Sequence, residues 1–360
     1  MTFKPDGQPA DGLSAPSYVE LSDVRKEYDG CVAVDDLSVS IARGEFFSLL
    51  GPSGCGKTTT LRLIAGLERP GSGRIAVDNR LVSDASFVLP PEERGVGIVF
   101  QDYALFPHMT VFENVSFGLH GRGKAHIHHR VGELLDLVGL TGLGKSYPHE
   151  LSGGQRQRVA LARSMAPSPS VILLDEPFSN LDADLRTTLR QETRDILRVE
   201  GATVILVTHD QEEAFSFSDR VGLLNAGRLE QVGSPYQIYH HPASRFVADF
   251  VGKADFIPCT LRGDRLVSSL GRFRHQGLSG PDSAPFELMI RPDDVTIAPD
   301  PLGEAIIAET IFLGADALYT LELPDATRLH SLGPSAKLLP DGTRVKVTVE
   351  LAHVVAFPKD

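Results

Sequence analysis

Residues 51–58 read Gly-Pro-Ser-Gly-Cys-Gly-Lys-Thr, and this stretch restricts the fold of the chain more than any other. It fits G-x-x-x-x-G-K-[ST], follows the apolar run EFFSLL at 45–50, and opens a helical pattern at 58–67. A strand that feeds a glycine-rich turn and then a helix gathers backbone N–H groups and the positive end of the helix at one spot. Such a spot suits a phosphate chain. Gly51, Gly54 and Gly56 let the backbone curl without steric cost, while Pro52, Ser53 and Cys55 complete the loop. Cys55 reads as a small residue in a crowded turn. Lys57 would reach the β- and γ-phosphates, and Thr58 would ligate Mg²⁺.

Two further segments fit the same chemistry. Val-Ile-Leu-Leu-Asp-Glu-Pro at 171–177 is a buried strand ending in two carboxylates. Asp175 is placed to hold a hydrated Mg²⁺, Glu176 to polarise a water, and Pro177 stops the strand. Leu-Ser-Gly-Gly-Gln-Arg-Gln-Arg at 151–158 opens a helix, a second phosphate-facing N-terminus. One bound nucleotide needs only one such site. A head-to-tail dimer resolves this, with the Ser152, Gly153, Gly154, Gln155 turn capping the phosphate held by the other subunit.

Short, nearly continuous apolar runs at 97–100, 171–174 and 203–207 suit strands buried on both faces of a mostly parallel sheet. Helical patterns at 155–165 and 185–199 alternate with them, as in an α/β domain spanning 18–250. From 251 to 360 glycine and proline recur, and 286–290, 317–323 and 343–350 alternate with period two, the texture of a small β-barrel. Residues 1–17 read as a short tail. A length of 360 residues suits two domains at roughly 150 residues each.

The net charge of −12 weighs against nucleic acid as a partner. Cys31, Cys55 and Cys259 are too scattered for a disulfide framework or a zinc cluster, and a reducing cytosol is the simplest setting. No run approaches the ~20 apolar residues of a membrane span. The N-terminal segment has no apolar core of a secretory signal, so a membrane role would come through a partner. His126, His128 and His129 lack acids or cysteines at ligand spacing. Arg156 and Arg158 read as a solvated or salt-bridged helix face.

Taken together, the motifs resemble the ATP-binding cassette (ABC) ATPases over about residues 18–250, with LSGGQ as the signature. The resemblance implies a P-loop NTPase cassette with a helical subdomain, binding ATP and Mg²⁺ through residues 51–59, Thr59 included. It implies that Tyr28, 23 residues before Gly51, stacks on adenine. Gln101 would sense Mg²⁺ and water and connect to the membrane partner. The 179–182 loop, with Asp182, would cross the dimer, and His209 would contact the γ-phosphate. The implied catalytic set is Glu176, His209, Gln101 and Lys57. The implied metal set is Thr58, Gln101 and Asp175, the last through water.

A single phosphate loop and the absence of membrane spans and heptads leave a stand-alone cassette serving a transporter. Ile-Arg-Pro-Asp-Asp-Val at 290–295 and the strands after it resemble the small OB-like regulatory (TOBE-like) barrel of importer ATPases. The expected protein is the ATP-hydrolysing subunit of a bacterial importer. It would be a homodimer on the cytoplasmic face of the inner membrane, bound to permease subunits and served indirectly by a periplasmic substrate-binding protein. Segments 89–111, 199–215 and 227–258 resemble ferric-iron importer ATPases, with polyamine, sulfate, quaternary amine or sugar import as alternatives. A soluble regulatory ATPase without a transporter is the alternative of another class.

Overall fold

The computed structural model describes residues 17–359 apart from 276, 279 and 282. Two compact units divide the chain, the first running to Pro235 and the second starting at Tyr236.

The strands of the first unit are β1 (Ser17–Tyr28), β2 (Cys31–Ala42), β3 (Phe46–Leu50), β4 (Ser72–Val77), β5 (Arg80–Asp84), β6 (Val96–Val99), β7 (Val171–Asp175), β8 (Thr203–Thr208), β9 (Arg220–Asn225) and β10 (Arg228–Gly233). Its α-helices are α1 (Lys57–Ala65), α2 (Val111–Ser116), α3 (Lys124–Leu137), α4 (Gly153–Met165), α5 (Ala183–Val199) and α6 (Gln211–Phe217). A six-stranded sheet runs β10-β9-β3-β8-β7-β6. Its members pair in parallel except β10, which is antiparallel to β9. A separate four-stranded antiparallel sheet runs β2-β1-β4-β5. The apolar runs read from the sequence are thus β3, β8 and β7 of this sheet and its edge strand β6, each within a residue or so of its expected bounds.

Period-two alternation in these strands feeds two cores. Phe46, Ile172, Leu174, Val204 and Leu206 join one cluster with residues of α2–α5. Their neighbours Phe47, Val171, Leu173, Ile205 and Val207 join another with β1, β2, β4 and α1. A strand buried on both faces cannot slip by one residue without exchanging its two cores. The register therefore fixes which residues leave the sheet at its C-terminal edge. Leu50 pairs with Thr208, and Asp175 with Val207. The ends of β3, β7 and β8 lie side by side there, where open α/β sheets place their ligands.

Helix ends follow local chemistry. α1 stops two residues short of the expected 67 because Gly66 takes φ 82°, a left-handed cap. A Cβ on Gly66 would fall 2.4 Å from Arg94 Nε. Arg94 is buried there, donating to the Leu63, Ile64 and Leu89 carbonyls, and burial lowers its pKa to about 10. α2 and α4 begin with capping boxes, Thr110 with Glu113 and Ser152 with Gln155.

The second unit carries α7 (Pro235–His240) and α8 (Arg245–Phe250). Among the described residues ten strands follow: β11 (Asp255–Arg262), β12 (Arg265–Ser268), β13 (Gly271–Arg274), β14 (Pro285–Ile290), β15 (Val295–Pro299), β16 (Ala305–Phe312), β17 (Asp316–Glu322), β18 (Arg328–Pro334), β19 (Arg344–Val349) and β20 (Ala356–Pro358). They form two five-stranded sheets, β13-β12-β11-β14-β20 and β15-β19-β16-β17-β18, antiparallel throughout. One core with Ile257, Leu288, Ile307, Leu321 and Val345 joins them. The all-β expectation for this region holds, with two sheets about a common core.

Both short helices fall on this side of the division, earlier than the change in sequence texture suggests. The reason is Arg291, which is buried and donates to the carbonyls of Tyr239, Ala248, Gly252 and Lys253. Among the described residues no helix is long and apolar enough to cross a membrane.

Candidate nucleotide site

The 51–58 loop leaves the end of β3 and enters α1. Gly51 and Gly56 are required by contact: a Cβ would lie 2.2 Å from the Leu224 carbonyl oxygen at the first and 2.1 Å from that of Ala33 at the second. Gly54, at φ 79°, would meet nothing within 4 Å and faces open space. Lys57 is 5% exposed, and its Nζ donates to the Gly51 and Pro52 carbonyls at 2.8 Å each. The ammonium is thereby held inside the hollow of the loop. Cys55 Sγ lies 3.8 Å from the same ammonium. Its thiol is 3% exposed and packs with the core, and burial raises its pKa against the opposing charge of Lys57.

Thr58 Oγ1 lies 3.3 Å from Asp175 Oδ1. Hydroxyl and carboxylate oxygens are the hard donors that Mg²⁺ takes. Burial raises the Asp175 carboxyl above the usual range, with the Thr58 hydrogen bond opposing and the Glu176 charge adding. A carboxylate desolvated beside a second carboxylate is a group that a cation would relieve, so the donor set fits the metal.

Glu176 has φ 44°, left-handed for a residue with a side chain. Its N–H donates to the Val207 carbonyl at 2.9 Å, and its own carbonyl accepts from Ser179 Oγ at 2.9 Å. The carboxylate sits between His209 Nδ1, 3.1 Å away, and Gln101 Nε2, 3.4 Å away. Gln101 is steadied by Ser179 Oγ at 3.2 Å, and its carbonyl accepts from Asn180 Nδ2 at 2.8 Å. Glu176, His209 and Gln101 line a cavity of about 210 Å³ that Arg186 and Glu213 also border. Of the residues singled out in the sequence, Lys57, Thr58, Asp175, Glu176, Gln101 and His209 thus gather at one sheet edge.

Tyr28 is half-exposed at the end of β1, with Lys26 Nζ 4.8 Å from its ring centroid. Burial first, and then the Glu68 carboxylate, raise its phenol, which also interacts with Thr59 in the first turn of α1. Ser152–Gln155 forms its own cap, with Ser152 N donating to Gln155 Oε1 at 2.9 Å and Gln155 N to Ser152 Oγ at 3.3 Å. Among the described residues no hydrogen bond links this turn to the 51–58 loop of the same chain. Gly154 lets α4 approach α5, since a Cβ there would fall 2.8 Å from Leu189 Cδ1. Asp182 is exposed at the N-cap position of α5. Arg158 pairs with Glu192 and donates to the Val138 carbonyl at 3.0 Å, a salt-bridged helix face as expected.

Sequence reasoning passed over Arg163, Thr208 and Glu213. Arg163 donates to the carbonyls of Tyr103 and Ala104, both at positive φ just after Gln101. Thr208 Oγ1 donates to Glu213 Oε2 in the interior. No motif announces these residues, although the helical spacing of Glu213 after His209 returns it to the same end of α6.

A parallel sheet with a glycine-rich loop from β3 into α1 and acidic residues at the end of β7 defines a P-loop nucleotide-binding domain. The ABC transporter family matches residues 34–179, and the TOBE domain family matches residues 288–357. A sulfate/thiosulfate import ATP-binding protein of Chromobacterium violaceum is 50% identical over 81% of this chain and 79% of its own length. A spermidine/putrescine import ATP-binding protein of Rubrobacter xylanophilus is 45% identical over 94% and 93%. An Fe(3+) ions import ATP-binding protein of Agrobacterium fabrum is 45% identical over 85% and 88%. Among solved structures, a dimeric post-hydrolysis state of an ATP-binding cassette with ADP and Pi aligns at TM-score 0.54 and 33% identity, covering 60% of this chain and 98% of that one. The cassette cbiO1 of Clostridium perfringens, part of the ABC transporter complex cbiONQ, aligns at 0.57 and 30% identity, covering 63% and 92%. The chain belongs to the family of ABC transporter ATP-binding proteins, in its importer type with a C-terminal TOBE domain.

Proposed function

We propose that this chain hydrolyses ATP as a head-to-tail homodimer and drives a permease at the cytoplasmic face of the inner membrane. The observation that carries the reading is the gathering of Thr58, Asp175, Glu176, Gln101 and His209 at the edge of one sheet. Residues 51–59 cradle the phosphates, and Lys57 moves from its loop carbonyls to the β- and γ-oxygens. Tyr28 stacks on the base, an interaction worth about 1–3 kcal/mol. Thr58 and Asp175, with Gln101 near them, would hold Mg²⁺, which would supply charge neutralisation at the transferring phosphate. Glu176 accepts a proton from the attacking water, and His209 steadies the γ-phosphate. Positioning and charge carry the rate, as in other phosphoryl transfers.

The signature turn acts on the partner copy's nucleotide. Gly153 and Gly154 open α4, where the first N–H groups have no partner within a helix. They point to a phosphate that this chain's own loop does not bring to them, and Asp182 joins them across the dimer. An apolar groove of about 390 Å³ with Phe100, Ala104, Phe106, Phe117 and Pro167 suits a permease helix. A periplasmic binding protein would deliver the cargo to that permease.

As cargo we propose ferric iron, on the resemblance of segments 89–111, 199–215 and 227–258 to ferric-iron importer ATPases. Relatives of similar identity are named for sulfate/thiosulfate and spermidine/putrescine import. Deleting the gene and following labelled Fe³⁺, sulfate and spermidine uptake in parallel tests the choice. Loss of iron uptake alone is expected, and normal iron uptake in a strain without redundant iron systems overturns it. The enzymatic reading is tested by Lys57→Ala. ATP binding should vanish with circular dichroism unchanged, and a normal ATPase rate in that variant would defeat the site.

A further inference from the structure

Only His209 and Asp210 separate β8 from α6. His209 has to reach Glu176 from this two-residue turn, and a turn so short is steered by its flanks. Both flanks are tied to Glu213, Thr208 through its carboxylate and Asp210 through its backbone N–H. Thr208, 1% exposed, donates from Oγ1 to Glu213 Oε2 and accepts at that hydroxyl from Asp210 N at 3.0 Å. Glu213 N donates in turn to Asp210 Oδ1 at 3.1 Å. On its outer side Asp210 Oδ2 lies 3.7 Å from Arg186 Nη1, and Arg186 Nη2 donates to the Leu181 carbonyl at 3.1 Å. The network joins the residues before and after His209 to the 179–182 loop and leaves the imidazole directed at Glu176 Oε1.

Glu213 is 3% exposed. A carboxylate so placed is costly to bury, and an apolar side chain of similar volume would serve packing alone at least as well. What an apolar group could not do is hold the Thr208 hydroxyl. Glu213 also borders the cavity that Glu176 and His209 line, so its position is felt where the chemistry is read.

We propose that Glu213 is a positioning residue for His209: with Thr208 and Asp210 it clamps the turn on both sides of the histidine and aims the imidazole at Glu176. This rests on the reading of His209 as a group that steadies the γ-phosphate. Misplacing such a group without removing it costs rate more than nucleotide affinity.

The test is a double-mutant cycle on the full-length protein, read by single-turnover and steady-state hydrolysis of MgATP. Glu213→Ala should lower kcat by about 10–100-fold while KM shifts far less. Glu213→Gln, whose amide oxygen still accepts from Thr208, should recover most of the rate. Thr208→Val should reproduce the loss. In a His209→Ala background, Glu213→Ala and Thr208→Val should each cost nothing further, because the residue they position is gone. Melting curves identify any variant that does not fold, and Thr208→Val then completes the cycle in place of Glu213→Ala. Losses that multiply in the His209→Ala background, or a wild-type kcat in both Glu213→Ala and Thr208→Val, overturn the clamp and leave the site reading standing. A wild-type kcat in His209→Ala removes the reading of His209, and the clamp with it.

Discussion

His209 Nδ1 stands 3.1 Å from Glu176 Oε1, with Gln101 Nε2 3.4 Å from the other carboxylate oxygen. The two contacts hold the carboxylate from both sides, on a backbone whose φ of 44° an ordinary side chain rarely takes. Strain of this kind persists where surrounding bonds enforce it, and the Val207 carbonyl and the Ser179 hydroxyl do so here.

Glu176→Gln keeps the size of the side chain and removes its charge and its basicity. Hydrolysis should fall about 10²–10⁴-fold, the worth of a positioned acid or base. ATP binding should hold, since the 51–58 loop and the Thr58–Asp175 pair are untouched. Uncleaved ATP should then keep two chains together through the signature turns. Size exclusion should show an ATP-dependent dimer, and adding Ser152→Arg should break it. Hydrolysis at the wild-type rate would place the base elsewhere.

The cassette was legible because its central strands are nearly continuous in apolar residues and its loops carry fixed residue types. Phe46–Leu50 and Thr203–Thr208 are buried at every position, so their sequence has little freedom. The four-stranded sheet was not legible. β1 runs SYVELSDVRKEY, where Asp23 at positive φ and four register shifts against β2 break the alternation that a regular strand would show. Cys55 was legible as a small residue in a crowded turn: it is buried, with its Sγ 3.8 Å from Lys57 Nζ. Thr208 and Glu213 stayed hidden because a contact between a strand end and a helix is set by the fold, and neither residue type is rare.

Asp175 carries a sign that can be checked. Its carboxyl is raised by burial, so folding disfavours the charged form relative to the unfolded chain. The stability this group contributes is full below the usual carboxylate range and is lost as pH rises through the raised value. Asp175→Asn should therefore raise the melting temperature of the nucleotide-free protein at neutral pH, with the gain shrinking in acid, while hydrolysis is lost. An unchanged or lower melting temperature at neutral pH would mean that the carboxylate is not held at a cost.

Alkylation should separate the three cysteines. Cys31 is exposed, whereas Cys55 and Cys259 are buried. Burial raises both interior thiols, that of Cys259 to about 11, so the reactive thiolate is scarce at neutral pH. Iodoacetamide at pH 8 followed by peptide mass spectrometry should label Cys31 first and the others only on unfolding. Labelling of Cys55 at the rate of Cys31 would contradict its burial.

Truncation tests where the cassette ends. Every nucleotide motif lies before Pro235, so a chain ending there should bind ATP as the full protein does. A chain ending at Lys253 should behave worse, although it is longer. It keeps α7 and α8 but loses Arg291, whose guanidinium binds the Tyr239, Ala248, Gly252 and Lys253 carbonyls at 2.8–3.2 Å. Those carbonyls lie at or beyond the ends of the two helices, where the helices themselves offer few partners. Arg291 also stacks its cation 4.3 Å from the Tyr239 ring centroid. Without it, Ile238, Val247 and Ala248, all wholly buried in the intact chain, lose the scaffold that keeps them from water. The longer truncation should bind a hydrophobic dye and aggregate, and the shorter should not, at equal ATP affinity in the soluble fraction. Arg291→Ala in the full-length protein should loosen the same two helices, read as faster amide exchange across 236–253 with the 51–58 loop unaffected. A chain ending at Lys253 that stays monodisperse and dye-negative would show that the helices stand without Arg291.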